Sequence, residues 1–88
     1  AEKGEGPAMN NLGFMYQKGL GVTQNYTSAI YWYEKAAEKG KASAMNNLGF
    51  MYQNGHGVTQ NYTTAKYWYE KACNLGNQTA CDNYKSIK

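Results

Sequence analysis

Residues 8–17 read AMNNLGFMYQ, and residues 44–53 read the same ten letters. In the first copy Ala8, Met9, Leu12, Gly13 and Tyr16 fall on one face at the helical spacing of about 100° per residue. The identity extends well beyond this stretch. Shifted by 36 residues, segment 1–36 overlies segment 37–72 with only seven differing columns. Residues 73–88 keep Gly76, Ala80 and Asn83 in phase and then diverge. A period between about 20 and 50 residues marks a solenoid, whose units bury their apolar faces against one another.

Each unit reads as two helices. The first spans Pro7 to Lys18 and stops at KGLG, where glycines accept the left-handed backbone that ends a helix. The second starts after Asn25, a residue suited to accept from the first-turn amides, and runs to Lys39 before Gly40 closes it. Ala29, Trp32, Tyr33, Ala36 and Ala37 form its inward face. A mid-helix glycine costs about 1 kcal/mol relative to alanine. Gly13, with Ala29 and Ala36 on the second helix, therefore predicts a close helix–helix approach.

A last helix over Gln78 to Ile87 brings the total to about five. There Lys85 takes the column of the packing glycine and Lys88 that of Tyr52, a polar face suited to a cap. The expected fold is all-α, a right-handed α/α superhelical solenoid. It forms one domain over 1–88, with repeats at 1–36 and 37–72 and a partial capping repeat at 73–88.

Composition narrows the function. Apolar residues make up 42% and charged residues 17%, enough hydrophobicity for a folded chain. The net charge of +3 comes from nine lysines against six acids, with no arginine. Arginine is the residue that grips guanine and phosphate in forked pairs, so its absence argues against nucleic-acid binding. No apolar run approaches the roughly 18 residues of a membrane span, and no charged-then-apolar leader opens the chain. Heavy use of asparagine, lysine and tyrosine points to an AT-rich source.

The pattern A-x-x-x-L-G-x-x-Y-x-x-G-x-G-V followed by A-x-x-W-Y-x-K-A-A-x-x-G covers Ala8 to Gly40, and recurs from Ala44 to Gly76. It resembles the Sel-like repeats, relatives of the tetratricopeptide repeats. The resemblance implies first helices lining a concave surface, and an adaptor in protein complexes. Where that family often has an acidic residue at the start of the second helix, this chain has Asn25 and Asn61, both able to cap.

The same wheel that points Leu12 and Tyr16 inward puts Asn10, Phe14 and Gln17 on the opposite arc. Asn46, Phe50 and Gln53 repeat them. One reading is a groove in which the phenylalanines anchor a protein or peptide while the amides bond its backbone. The other is that each phenylalanine packs on the neighbouring repeat. The polar neighbours in both copies favour the groove. Tyr31 and Tyr67 face outward on the second helix and read as surface residues.

Cys73 and Cys81 occupy the columns of Ala37 and Met45, which end one helix and begin the next on the core side. A bridge there would close nine residues and stabilise by about 2.6 kcal/mol on the loop-entropy model. The alternative is two buried reduced thiols. The spacing is similar to that of the secreted Helicobacter cysteine-rich proteins, a branch of the Sel-like family with a disulfide in each repeat; here only the last unit has the pair. Two cysteines and one distant histidine do not make a zinc site.

His56, which replaces Leu20 in the repeated loop, has no adjacent nucleophile and reads as a surface residue. Some relatives in the cysteine-rich branch are linked to penicillin binding or β-lactam hydrolysis, which calls for a serine near a lysine as in S-x-x-K. The nearest string, TTAK at Thr63 to Lys66, reads TSAI in the first copy and is a coincidence. Asn25, Asn61 and Asn77 match the glycosylation pattern but are better explained as caps.

The expected function is a non-enzymatic protein- or peptide-binding module without cofactor, metal or catalytic residues. It would act as a monomer, free of nucleic acid and membrane insertion, in an extracytoplasmic (periplasmic or secreted) bacterial setting. The alternatives are a β-lactam-binding or hydrolysing protein and a structural fragment of a longer array. For the cysteines, alkylation without reductant followed by intact mass is decisive: a bridge leaves the mass unchanged, whereas free thiols add two groups.

Overall fold

The computed structural model describes residues 5–87. The opening AEKG and the Lys88 position lie outside the described residues. Five helices follow in order: α1 (Glu5–Lys18), α2 (Tyr26–Glu38), α3 (Ala42–Asn54), α4 (Tyr62–Asn74) and α5 (Gln78–Ser86). Each packs on the next, and extents of 35 × 27 × 16 Å fit an all-α array two helix layers thick. No helix among the described residues is long and apolar enough to cross a membrane.

The helix ends follow from short-range chemistry. Asn25, Asn61 and Asn77 each accept a backbone N–H three residues on, from Ser28, Thr64 and Ala80 at 3.1, 3.0 and 2.8 Å. At the other end α3 closes on Gly55 in the left-handed region at φ 69°. Each intra-repeat loop is tied back to its first helix. The Asn25 and Asn61 N–H groups donate to the carbonyls of Tyr16 and Tyr52, both at 2.9 Å. Gln24 and Gln60 add side-chain bonds to the carbonyls of Gln17 and Gln53, both at 2.8 Å.

The two helices of a repeat meet where the mid-helix glycine predicts. A Cβ on Gly13 would stand 2.6 Å from the Tyr33 ring, and one on Gly49 2.5 Å from the Tyr69 ring. Tyr33, Tyr69, Leu48 and Met51 are the largest fully buried side chains, with Ala29, Ala36, Ala65 and Ala72 closing the gaps between them.

Several positions depart from the helical-wheel expectation. Ala8 is exposed although its counterpart Ala44 is fully buried, because α2 covers that side of α3 and no described helix covers that side of α1. Trp32 is only half-buried, while Ile30 is buried in the joint between repeats. His56 is half-buried rather than a free surface residue. Its ring stacks on Tyr26 at 4.7 Å and meets Phe50 edge-on at 5.7 Å, and its Nδ1 is buried without a hydrogen-bond partner. Leu20, in the same column, is 50% exposed because no described second helix precedes it.

Cys73 and Cys81 are bridged, tying the end of α4 to the first half of α5 with Cα atoms 4.7 Å apart.

Gly13→Ala and Gly49→Ala should each lower stability by about 1–3 kcal/mol, because the added methyl must displace a buried tyrosine ring. Urea unfolding checks this; an unchanged or raised midpoint would show that the close approach is not required.

Candidate functional site

The six residues singled out on the first helices lie on α1 and α3, and the structure gives them different roles. Phe14 and Phe50 are 44% and 40% exposed. The Lys18 ammonium lies 5.9 Å from the Phe14 centroid, a cation over the ring, while Phe50 meets the edge of His56. Both phenylalanines thus touch their own repeat and still present much of the ring outward.

The glutamines are partly committed. Gln17 Oε1 accepts from the Tyr33 hydroxyl, and Gln53 Oε1 accepts from the Tyr69 hydroxyl at 2.7 Å. These bonds satisfy the two polar atoms that a buried tyrosine and its neighbour would otherwise strand. A primary amide also carries two N–H donors, so the outer side of each glutamine retains bonding capacity.

The asparagines form rungs between repeats. Asn47 Nδ2 donates to Asn10 Oδ1 at 3.1 Å, and Asn83 Nδ2 donates to Asn46 Oδ1 at 3.0 Å. The offset is 37 residues both times, so the first asparagine of each NN pair accepts from the second position of the next repeat. Asn47 and Asn83 were absent from the sequence-based site. The doubled NN was the visible signal, but its meaning depends on first helices lying side by side.

Beside the first rung, a cleft of about 230 Å³ is lined by Asn10, Asn11, Lys41, Ala42 and Ser43. A second, of about 280 Å³, opens between α2 and the α3–α4 loop, around Ile30, Tyr31, Glu34 and Val58. Tyr31 and Tyr67 are exposed on the second helices, with the Lys35 and Lys71 ammonium groups 5.4 and 5.3 Å from their ring centroids. Lys66, the lysine of TTAK, places its ammonium 5.4 Å from the Tyr84 centroid and so braces α4 against α5. Among the described residues no three His, Cys, Asp or Glu side chains gather where they could hold a metal ion.

The Sel1 repeat family model matches twice, over residues 6–41 and 42–77. The chain belongs to the Sel1 repeat family. Three solved structures place the Sel1 array among relatives. It is similar to a Sel1 repeat protein from Oxalobacter formigenes, at 40% identity and a TM-score of 0.89 over 93% of this chain and 34% of that one. It is also similar to c5321, a protective antigen of uropathogenic Escherichia coli with this fold, at 41% identity and TM-score 0.84, covering 91% of this chain and 17% of that one. The third is cysteine-rich protein B of Helicobacter pylori, at 32% identity and TM-score 0.82, covering 88% of this chain and 58% of that one. In each case the chain spans less than two thirds of its relative. A search among curated proteins gives no match. Sel1 repeats in general are scaffolds for protein–protein interaction.

In this Sel1 array burial pushes the hydroxyls of Tyr33 and Tyr69 up to about 12 from an ordinary value of 10. The neutral hydroxyl is also the form that donates to glutamine. Tyr52 moves in the same direction, through burial first and then through the nearby Glu34 carboxylate. A raised acid pKa in the folded state contributes stability that is complete below pH 10 and is lost as pH rises through the folded value. Stability should therefore decline between about pH 10 and 12, and that decline should be shallower in a Tyr33→Phe/Tyr69→Phe variant. Urea midpoints across this pH range decide it; parallel curves for the two proteins would refute the assignment.

Proposed function

We propose that this chain is a non-catalytic, monomeric interaction module that holds an extended segment of another protein across its first helices. The supporting observation is the repeated set of an exposed phenylalanine beside amide groups, Asn10, Phe14 and Gln17 on α1 and Asn46, Phe50 and Gln53 on α3. Phe14 and Phe50 supply apolar area at sites one repeat apart, where a partner's side chains gain by leaving water. The amides beside them have donors and acceptors left over after their internal bonds, the complement of an extended main chain with its own exposed N–H and C=O groups. Because the rungs are fixed by bonds between repeats, little ordering is needed when a partner binds, which favours affinity.

The Cys73–Cys81 bridge supports an extracytoplasmic setting, periplasmic or secreted, since disulfides persist in oxidising compartments. The scarcity of charge on the first helices supports a partner segment recognised by shape and main chain rather than by charge. Among the residues whose side chains are described, only Lys18, Asp82 and Lys85 are charged on α1, α3 and α5.

A random-peptide display selection against the intact chain tests this reading, with recovered peptides measured on wild type and on Phe14→Ser/Phe50→Ser. Binding should fall at least about tenfold in the variant, the loss of roughly 1.4 kcal/mol expected when apolar anchors are removed, with circular dichroism and melting unchanged. Equal binding by both proteins, or amide shifts confined to α2 and α4 on titration, would refute it.

A further inference from the structure

α5 is nine residues long, shorter than an isolated helix needs to hold itself in water. Its attachment can be compared with that of α3, which occupies the same place one repeat earlier. α3 buries Ala44, Met45, Leu48 and Met51, and it is packed between α2 and α4. In the matching columns α5 has Ala80, Cys81, Tyr84 and Ile87. Ala80 and Ile87 are buried, but Cys81 and Tyr84 are only half-buried, and Lys85 stands exposed where α3 has the packing Gly49. Apolar burial on α5 is thus smaller than on α3, and among the described residues α4 is the main helix that α5 packs on.

Three further contacts hold α5: the rung from Asn83 to Asn46, the Lys66 ammonium over Tyr84, and the Cys73–Cys81 bridge. The bridge stands in the columns that one repeat earlier hold Ala37 and Met45, both buried. A covalent bond therefore replaces a buried side chain at this seam. Both cysteines are half-buried, so neither residue of the bridge is sealed in the core.

We propose that the bridge is a redox latch: oxidised, it holds α5 on α4; reduced, it lets α5 leave while α1 to α4 keep their fold. The reductant is a dithiol. One of its thiolates attacks one bridge sulfur, forming a mixed disulfide and releasing the other cysteine as a thiolate that takes up a proton. The second thiol of the reductant, as its thiolate, then closes the reductant's own disulfide and expels the remaining cysteine, which is protonated in turn. Two electrons and two protons pass from the dithiol to Cys73 and Cys81. Undocking separates Asn83 from Asn46 and removes the second amide rung. Only the consequence for binding rests on the function proposed above; the undocking does not.

Hydrogen exchange followed by mass spectrometry on the full 88-residue chain tests the latch, with and without dithiothreitol. Protection of α5 should fall by roughly 100-fold on reduction, the scale of a short-loop bridge, while α2 to α4 change little. Cys73→Ser/Cys81→Ser should exchange like the reduced chain and show no further response to dithiothreitol. The latch is overturned if α5 stays protected after reduction, if α2 to α4 lose protection together with it, or if the serine variant exchanges like the oxidised chain. None of these readouts involves a bound peptide, so failure of the latch and failure of the binding reading are separable.

Discussion

Within each repeat a tyrosine ring lies in the space that a side chain on the facing helix would need. Tyr33 fills the position above Gly13, and Tyr69 the position above Gly49. The ring fixes how closely the two helices approach, and its hydroxyl reaches the glutamine one turn further along the first helix. Helix spacing and rotation are thereby set by one side chain. The small residues Ala29, Ala36, Ala65 and Ala72 are buried where any larger group would hold the helices apart.

Between repeats the connections are of a different kind. Met45 and Ala37 pack in the joint between α2 and α3, the loop after α3 lays His56 on Tyr26, and asparagine rungs link successive first helices. Gly57 belongs to this joint, since a Cβ there would stand 2.7 Å from that of Tyr26. A column is therefore not equivalent in both repeats even where the letters agree. Tyr26 is covered by the following loop, whereas Tyr62 is 52% exposed.

The rungs and the exposed phenylalanines belong to one arrangement. Regular first helices bring Asn10 to Asn47 and Asn46 to Asn83, and the same regularity repeats Phe14 as Phe50 one unit on. A surface made this way has a fixed spacing and few charges of its own. In the binding mode proposed above, the preorganised amides and ring faces would lose little freedom when engaged.

The sequence by itself determined the repeat, the alternation of two helices, their asparagine caps and glycine stops, the close helix approach marked by Gly13 and the cysteine columns. All of these follow from periodicity or from contacts within a few residues. It also marked Phe14 and Phe50 as exposed, because a wheel depends only on local geometry. Only the tertiary structure decided that the Tyr33 and Tyr69 rings lie over Gly13 and Gly49, that Asn10 pairs with Asn47, that Gln17 and Gln53 satisfy buried hydroxyls, and that His56 is half-buried against Tyr26 while Leu20 is exposed. Those outcomes depend on which helix lies on each side, and a helical wheel treats every helix as though it stood alone.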